Sequence, residues 1–340
     1  MIPIERNKIE RNKIRDFLFA NAIFVILLSL VIIIAIISPR FLSFRVMRDI
    51  LMQSSVRIIV ALGCMLICVL GSADLSGGRM LGLAAVISGT LAQSSSYYLK
   101  YWPGLPELPI VIPILAAMLV GTAGGLFNGC VVAKLRVPAF LATLGSQMIF
   151  LGMNSLYFNR PPNNSQPLGG YLASFSTLGT GSVFNIPYVS IIAISCMVLI
   201  WFLQTKTCFG HELFIVGGNR EAARVSGINV LKIEMITFAI AGAMYGLAGS
   251  LEAARTGSAT TGYGNAYELD AIASCIIGGC SLSGGIGKVG GVFAGVIIFN
   301  VISYGLTFIG VSPYWQNVIK GSIIIIAIAI DMRKYAARKK

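Results

Sequence analysis

Charge is scarce in this chain. Asp, Glu, Lys and Arg together make 11% of its 340 residues, where a soluble domain carries roughly 25%. Hydrophobic residues make 56%, so the few polar groups cannot screen them from water, and the bilayer has to act as solvent. Histidine is nearly absent: His211 stands alone, which excludes a Ser/His/Asp set and a zinc site built on paired histidines. No CxxC pair occurs. A phosphate-cradling loop is missing too. GIGKVG (285–290) fits GxGxxG, but apolar helices flank it where a dinucleotide fold needs a strand and a βαβ unit. As a nucleotide loop of the Walker type it has Leu282 in place of Gly and Val289 in place of Ser or Thr. No catalytic residues, cofactor or metal are expected, and any ATP must be bound by another chain.

What is present is positive charge at the ends and long apolar runs between. The formal net charge is +13, with Lys8, Arg11, Lys13 and Arg15 at the start and Arg333, Lys334, Arg338, Lys339 and Lys340 at the end. Basic flanks of this kind stay on the cytoplasmic side, so both termini are expected there. The basic residues form no stripe interleaved with base-stacking aromatics, which excludes nucleic acid as a partner. Seven cysteines are mostly in apolar spans; Cys64 and Cys68 are four apart on one helix face and read as small buried residues. The first apolar run is too long for a secretory leader and is read as a retained helix.

The expected fold is all-α and polytopic, with about ten spans near 17–38, 50–71, 79–95, 109–133, 139–158, 187–204, 232–254, 269–283, 288–309 and 314–331. That leaves a cytoplasmic tail at 1–16, a transmembrane domain over 17–332 and a basic cytoplasmic tail at 333–340. The count makes 159–186 and 255–268 external and 205–231 cytoplasmic. Arg40, Arg45 and Arg48 then fall on the wrong side of the charge rule, which calls for an interfacial helix or a different path for the first two crossings. The third and eighth spans are short and rich in small residues, as half-helices packed inside protein would be. Tyr97, Tyr98, Tyr101 and Trp102, then Trp201, then Tyr314 and Trp315 lie at span ends as an aromatic belt.

Small residues recur every fourth position at Gly121, Gly125 and Gly129, at Gly242 and Gly246, and at Gly287, Gly291 and Gly295. Such stripes let helix backbones approach, and internal packing is the expected use. The chain also echoes itself. ALGCMLICVLGSADLSGG (61–78) aligns without gaps to ELDAIASCIIGGCSLSGG (268–285), sharing Leu62/Leu269, Cys68/Cys275, Gly71/Gly278 and the LSGG ends. Broken helices from internal repeats commonly meet at a transporter's substrate site.

In LGSADLSGGRMLG (70–82) an acid and a base interrupt this apolar chain. Asp74 and Ser76 can cap the helix that follows, and Asp74 can pair with Arg79. Alternatively the turn and its twin at 282–285, with Ser283, line a passage together with Gln93, Asn128, Gln147 and Asn154. A neutral, hydroxyl-rich solute needs such groups without tight grip. Glu252 and Arg255 are three apart and can pair on one helix face, whereas Glu268 and Asp270 are two apart and diverge. These four are either local pairs or an external gate.

GGNREAARVSGINV (217–230) contains Asn219, then Glu221, Ala222, Ala223 and Arg224 as a short amphipathic helix, and Gly227 as its stop. The EAA-x3-G spacing matches importer permeases of the ATP-binding-cassette class, in which such a helix slots into a groove on the ATPase. Five stretches make the resemblance specific: GSADLSGGRMLGLAAV, VPAFLATLG, GGNREAARVSGINV, YELDAIASCIIGGCSLSGG and VISYGLTFIGVSPYWQNVIKG. Over nearly its whole length the chain resembles the sugar branch (ribose, xylose, galactose) of those permeases. The resemblance implies a homodimer in the bacterial inner membrane, a separate cytoplasmic ATPase and a periplasmic or lipid-anchored sugar-binding protein. It leaves the monosaccharide open among galactose, methyl-galactoside and glucose. A branched-chain amino-acid permease of the same architecture and an ion-coupled carrier are the competing readings; scarce acids within the spans weigh against the carrier.

Overall fold

A computed structural model of the protein describes residues 22–338. Expectations for the N-terminal tail and for Lys339 and Lys340 lie outside the described residues. Thirteen α-helices follow in order: α1 (Ala22–Ile37), α2 (Phe44–Val69), α3 (Gly77–Leu91), α4 (Val111–Gly129), α5 (Ala139–Phe158), α6 (Ala173–Thr180), α7 (Tyr188–Lys206), α8 (Cys208–Gly218), α9 (Arg220–Val225), α10 (Val230–Thr256), α11 (Tyr267–Ile277), α12 (Val289–Phe308) and α13 (Pro313–Arg338). Among the described residues six of these, α2, α4 with its π-helical extension, α5, α7, α10 and α12, are long and apolar enough to cross a membrane. Each of the ten expected spans corresponds to a helix.

The 27-residue α10 is the axis, about 40 Å long. Against it lie α2, α3 and α4, with α5 on α3, α7, α11 and α12 on α2, α1 on α12 and α13 on α11. The glycine stripes explain the closest of these contacts. A Cβ on Gly121 would collide with the Gly242 carbonyl, one on Gly125 with the Phe238 carbonyl, and one on Gly246 with the Ala117 carbonyl. The stripes of α4 and α10 therefore face each other, the internal packing expected of them. Gly291 and Gly295 of α12 do the same against Gly278 and Ser274.

The third and eighth spans are half-helices. With 15 residues in α3 and 11 in α11, they reach about 22 and 17 Å, short of a hydrocarbon core of about 30 Å. Their N-terminal ends meet inside the bundle, where Gly78 and Gly264 touch backbone to backbone.

Two local expectations change. Helix α2 begins at Phe44, capped by the Ser43 hydroxyl on the Val46 N–H, so Arg45 and Arg48 ride on its first turns. No separate interfacial helix carries them; Arg40 lies in the 3-10 turn Pro39–Leu42. Arg48 donates to Ser182 at 3.2 Å, which puts it at the same end as the 159–186 segment. That segment is not a plain loop: it folds into α6 and a hairpin of β1 (Ser182–Val183) and β2 (Ile186–Pro187). Antiparallel bridges Gln93–Tyr171 and Leu168–Ala259 tie it to the ends of α3 and α10.

Candidate functional site: a polar break between two half-helices

The break begins where α2 stops. Gly71 takes φ +74°, and the Gly71 and Ser72 N–H groups return to the carbonyls of Cys68 and Ile67, a Schellman ending that favours glycine. Helix α11 stops the same way, with Gly279 at φ +85° and the Gly279 and Cys280 N–H groups on Ile276 and Cys275. The sequence echo is thus a structural one, displaced by one residue, since Gly71 matches Gly279 rather than Gly278. The two turns touch: the Gly285 N–H donates to the Val69 carbonyl at 2.8 Å, and Gly217 of α8 packs against both.

Asp74 is buried among these turns. Its Oδ1 accepts from the Ser76 N–H at 2.8 Å and the Ser76 hydroxyl at 2.6 Å. Asn128 of α4 donates to the same hydroxyl at 2.7 Å, giving a chain Asn128, Ser76, Asp74. The irregular backbone is completed by Thr143 of α5, which accepts from the Leu75 N–H at 3.1 Å. Asp74 thus caps the turn, but the expected pair with Arg79 does not form. Arg79 sits in the first turn of α3 and turns the other way, donating to Asn265 at 2.7 Å. Nor does Ser76 cap α3, because its hydroxyl is spent on Asp74.

Across the break stands Glu268, in the first turn of α11. Its Oε1 accepts from Gln147 of α5 at 3.4 Å, while the buried Oε2 has no hydrogen-bond partner among the described residues and lies against Gly78. Asn154 lies near Gly82 on the same side and also keeps a buried oxygen without a partner. Five of the expected path residues therefore gather here: Asp74, Ser76, Asn128, Gln147 and Asn154, joined by Glu268. Gln93 does not join them. Its amide donates to the Gly169 carbonyl and accepts from the Tyr101 N–H, tying the loops at the end of α3. Ser283 is in the twin turn, beside Gly71.

Glu268 and Asp270 diverge, as residues two apart on one helix must. Asp270 faces outward from the break to Arg57 of α2 at 2.8 Å and Lys320 of α13 at 3.2 Å. Glu252 and Arg255 pair at 2.8 Å, and Tyr267 donates to the same carboxylate at 2.9 Å. Since Arg57 lies over the Tyr267 ring at 5.2 Å, the two pairs form one network. Arg57, Lys320, Tyr267, Asn265 and Thr143 were not singled out from the sequence. The available signal was a lone base within an apolar helix, which calls for a partner. Cys275 likewise joins Cys64 and Cys68, the three sulfurs lying within 4.8 Å of one another in a fully buried cluster.

At the opposite end of α10 from the 159–186 segment stands α9. Asn219 accepts from the Glu221 and Ala222 N–H groups at 3.0 Å each, Glu221 and Arg224 pair at 2.8 Å, and Gly227 ends the helix at φ +82°. Ala223 is buried, whereas Val225 is 90% exposed. Arg220 joins α9 to the interior: it pairs with Glu234 of α10 at 2.9 Å and reaches Ser72, in the turn before Asp74, at 3.5 Å.

Long apolar helices around two half-helices that meet at a buried polar break define a polytopic helical membrane protein. The chain belongs to the family described as branched-chain amino acid transport system / permease component, whose model matches residues 46–328. It is thus a permease component of a transport system and not an enzyme. It is similar to the galactose/methyl galactoside import permease protein MglC of Haemophilus influenzae, 48% identical over 343 residues with 100% of both chains covered. The protein of that name from Escherichia coli is 47% identical, covering 95% of this chain and 97% of its own. The ribose import permease protein RbsC of Escherichia coli is 34% identical, covering 91% and 92%. No solved structure matches significantly.

Proposed function

We propose that this chain is the membrane-spanning subunit of an ATP-driven importer for a monosaccharide of the galactose type, delivered by an external binding protein. The observation that carries the reading is the full-length likeness to galactose/methyl galactoside import permeases. In this reading two copies of the chain sit in the bacterial inner membrane with both termini in the cytoplasm. Segment 205–231 is cytoplasmic and 159–186 external. Helix α9 docks on a cytoplasmic ATPase with Glu221, Ala222, Arg224 and Val225 outward. Arg220 supports the mechanism, because one side chain ties α9 to both α10 and the turn after α2. A tilt of α9 driven by nucleotide is then felt at the break. Asp74, Gln147, Asn154 and Glu268 supply hydroxyl-directed contacts there, and the Glu252, Arg255 and Asp270 network closes the external side.

The family description favours a second substrate class, a branched-chain amino acid. Uptake by proteoliposomes separates the two. Permease with ATPase and binding protein is given labelled galactose, methyl-galactoside, glucose, ribose and leucine. Galactose-type uptake that needs ATP and the binding protein is expected. Leucine uptake alone, or sugar flux by the permease without its companions, would overturn the proposal.

A further inference from the structure

Between α2, α12 and α13 lies a cavity of about 240 Å³ whose walls include Gln53, Arg57, Tyr304, Thr307, Gln316 and Lys320. Its lining holds two cations and no carboxylate. Asp270 stands behind that wall and is shared by both, Arg57 at 2.8 Å and Lys320 at 3.2 Å. One carboxylate against two cations leaves a positive charge unbalanced. The other nearby acid, Asp49, accepts from the Tyr304 hydroxyl at 3.4 Å and has Arg45 one turn back on α2.

Both cations are held in place from behind. Arg57 lies over the Tyr267 ring at 5.2 Å and Lys320 over Phe299 at 5.7 Å. Each keeps N–H donors beyond those given to Asp270, since a guanidinium has five and an ammonium three. The Gln53 side chain makes no hydrogen bond among the described residues, so its amide is also available. The cavity is therefore a fixed set of cationic donors in excess of their acceptor, the arrangement that suits a phosphate oxygen.

Its place in the fold says where the phosphate comes from. The walls are the third and fourth turns of α2, the last two turns of α12 and the first two turns of α13, beside Tyr314 at 82% and Trp315 at 65% exposure. Exposed aromatics at span ends mark the headgroup level of a bilayer. Further along α13, Val318, Ile325 and Ile326 present apolar side chains outward, a surface suited to acyl chains. Basic pockets between membrane helices hold lipid headgroups by the same chemistry.

We infer that this cavity is a phosphate-binding site filled by the headgroup of an anionic phospholipid, with Arg57 and Lys320 on the phosphate and the acyl chains along α13.

The test uses the full-length permease reconstituted in nanodiscs of phosphatidylcholine with a minor share of phosphatidylglycerol. The lipid retained after extraction into detergent is measured by native mass spectrometry, with and without inorganic phosphate. Lys320→Gln leaves Asp270 paired to Arg57, and Thr307→Trp plugs the lip without touching a charge; thermal midpoints verify that both are folded. Retained phosphatidylglycerol is expected to fall about tenfold in Lys320→Gln, the loss of one charge-assisted contact, and at least as far in Thr307→Trp, which fills the entrance; millimolar phosphate is expected to compete with it in the wild type. Phosphate binding that depends on Lys320, without lipid retention, keeps the oxyanion site and assigns it to free phosphate. Equal retention in the wild type and both folded variants, with no competition by phosphate, overturns the inference.

Discussion

Glu268 presses its Oε2 against Gly78, so that the start of one half-helix is closed by the first acid of the other. A Cβ at Gly78 would meet that oxygen and, on its other side, the Gly264 carbonyl. Backbone on one flank cannot rotate away. Gly78→Ala is expected to destabilise by about 1–3 kcal/mol, the usual cost of overpacking, and to lower uptake in step. The thermal midpoint of the purified permease and its transport rate check this together; an unchanged midpoint would contradict the close contact.

Asp74 satisfies two donors of Ser76 that have no other acceptor in view. Asp74→Ala strands both, at about 1–3 kcal/mol for each buried group left unmade. Asp74→Asn keeps an acceptor oxygen and is expected to restore most of that stability. If Asp74 also lines the sugar path, the Asn variant will reach the membrane at normal levels yet import slowly. Normal import by Asp74→Asn would confine the residue to its capping role.

Val225 and Ala223 separate docking from folding on α9. The first is 90% exposed and the second 0%. Val225→Glu is expected to leave stability within about 0.5 kcal/mol, while weakening capture of the ATPase about tenfold or more if this face docks there. Ala223→Glu is expected to disturb the permease itself, visible as a lowered thermal midpoint with no ATPase added. Pull-down of the ATPase alongside melting curves distinguishes the two effects.

Glu107, in the loop between α3 and α4, offers a pH test outside the spans. The Ser95 N–H, then the Ser94 hydroxyl, hold its carboxyl below the usual carboxylate range. A depressed pKa in the folded state adds stability above the unfolded value and loses it as pH falls through the folded one. Glu107→Gln should therefore lower the melting temperature at neutral pH and converge with the wild type at acid pH. Parallel melting curves from pH 7 to 3 would remove the contribution.

The order of the helices was legible because length and hydropathy alone set it, and the shortness of α3 and α11 marked both as half-helices. Helix α9 was legible from a cap, an EAA stretch and a stopping glycine, all within nine residues from Asn219 to Gly227. Four features were hidden, some of them by distance along the chain. Arg57 and Asp270 are 213 residues apart, and nothing local announces that pair. Asp74 and Arg79 looked like partners because they are near in sequence, but the first turn of α3 carries Arg79 around to Asn265. The start of α2 was missed by six residues since Arg45, Arg48 and Asp49 dilute hydropathy without breaking a helix that Ser43 caps. In 159–186, α6 and its hairpin are too short to show a period and owe their form to the ends of α3 and α10.

Where the two matched turns meet α8, three glycines, Gly71, Gly217 and Gly284, come together with only main chain between them. Side chains that interlock have to climb out of their notches before helices can shift, whereas bare peptide surfaces glide. On the proposed import cycle this joint slides as the α8–α9 arm moves, and a methyl added at Gly217, which would meet the Val69 carbonyl, is expected to jam it.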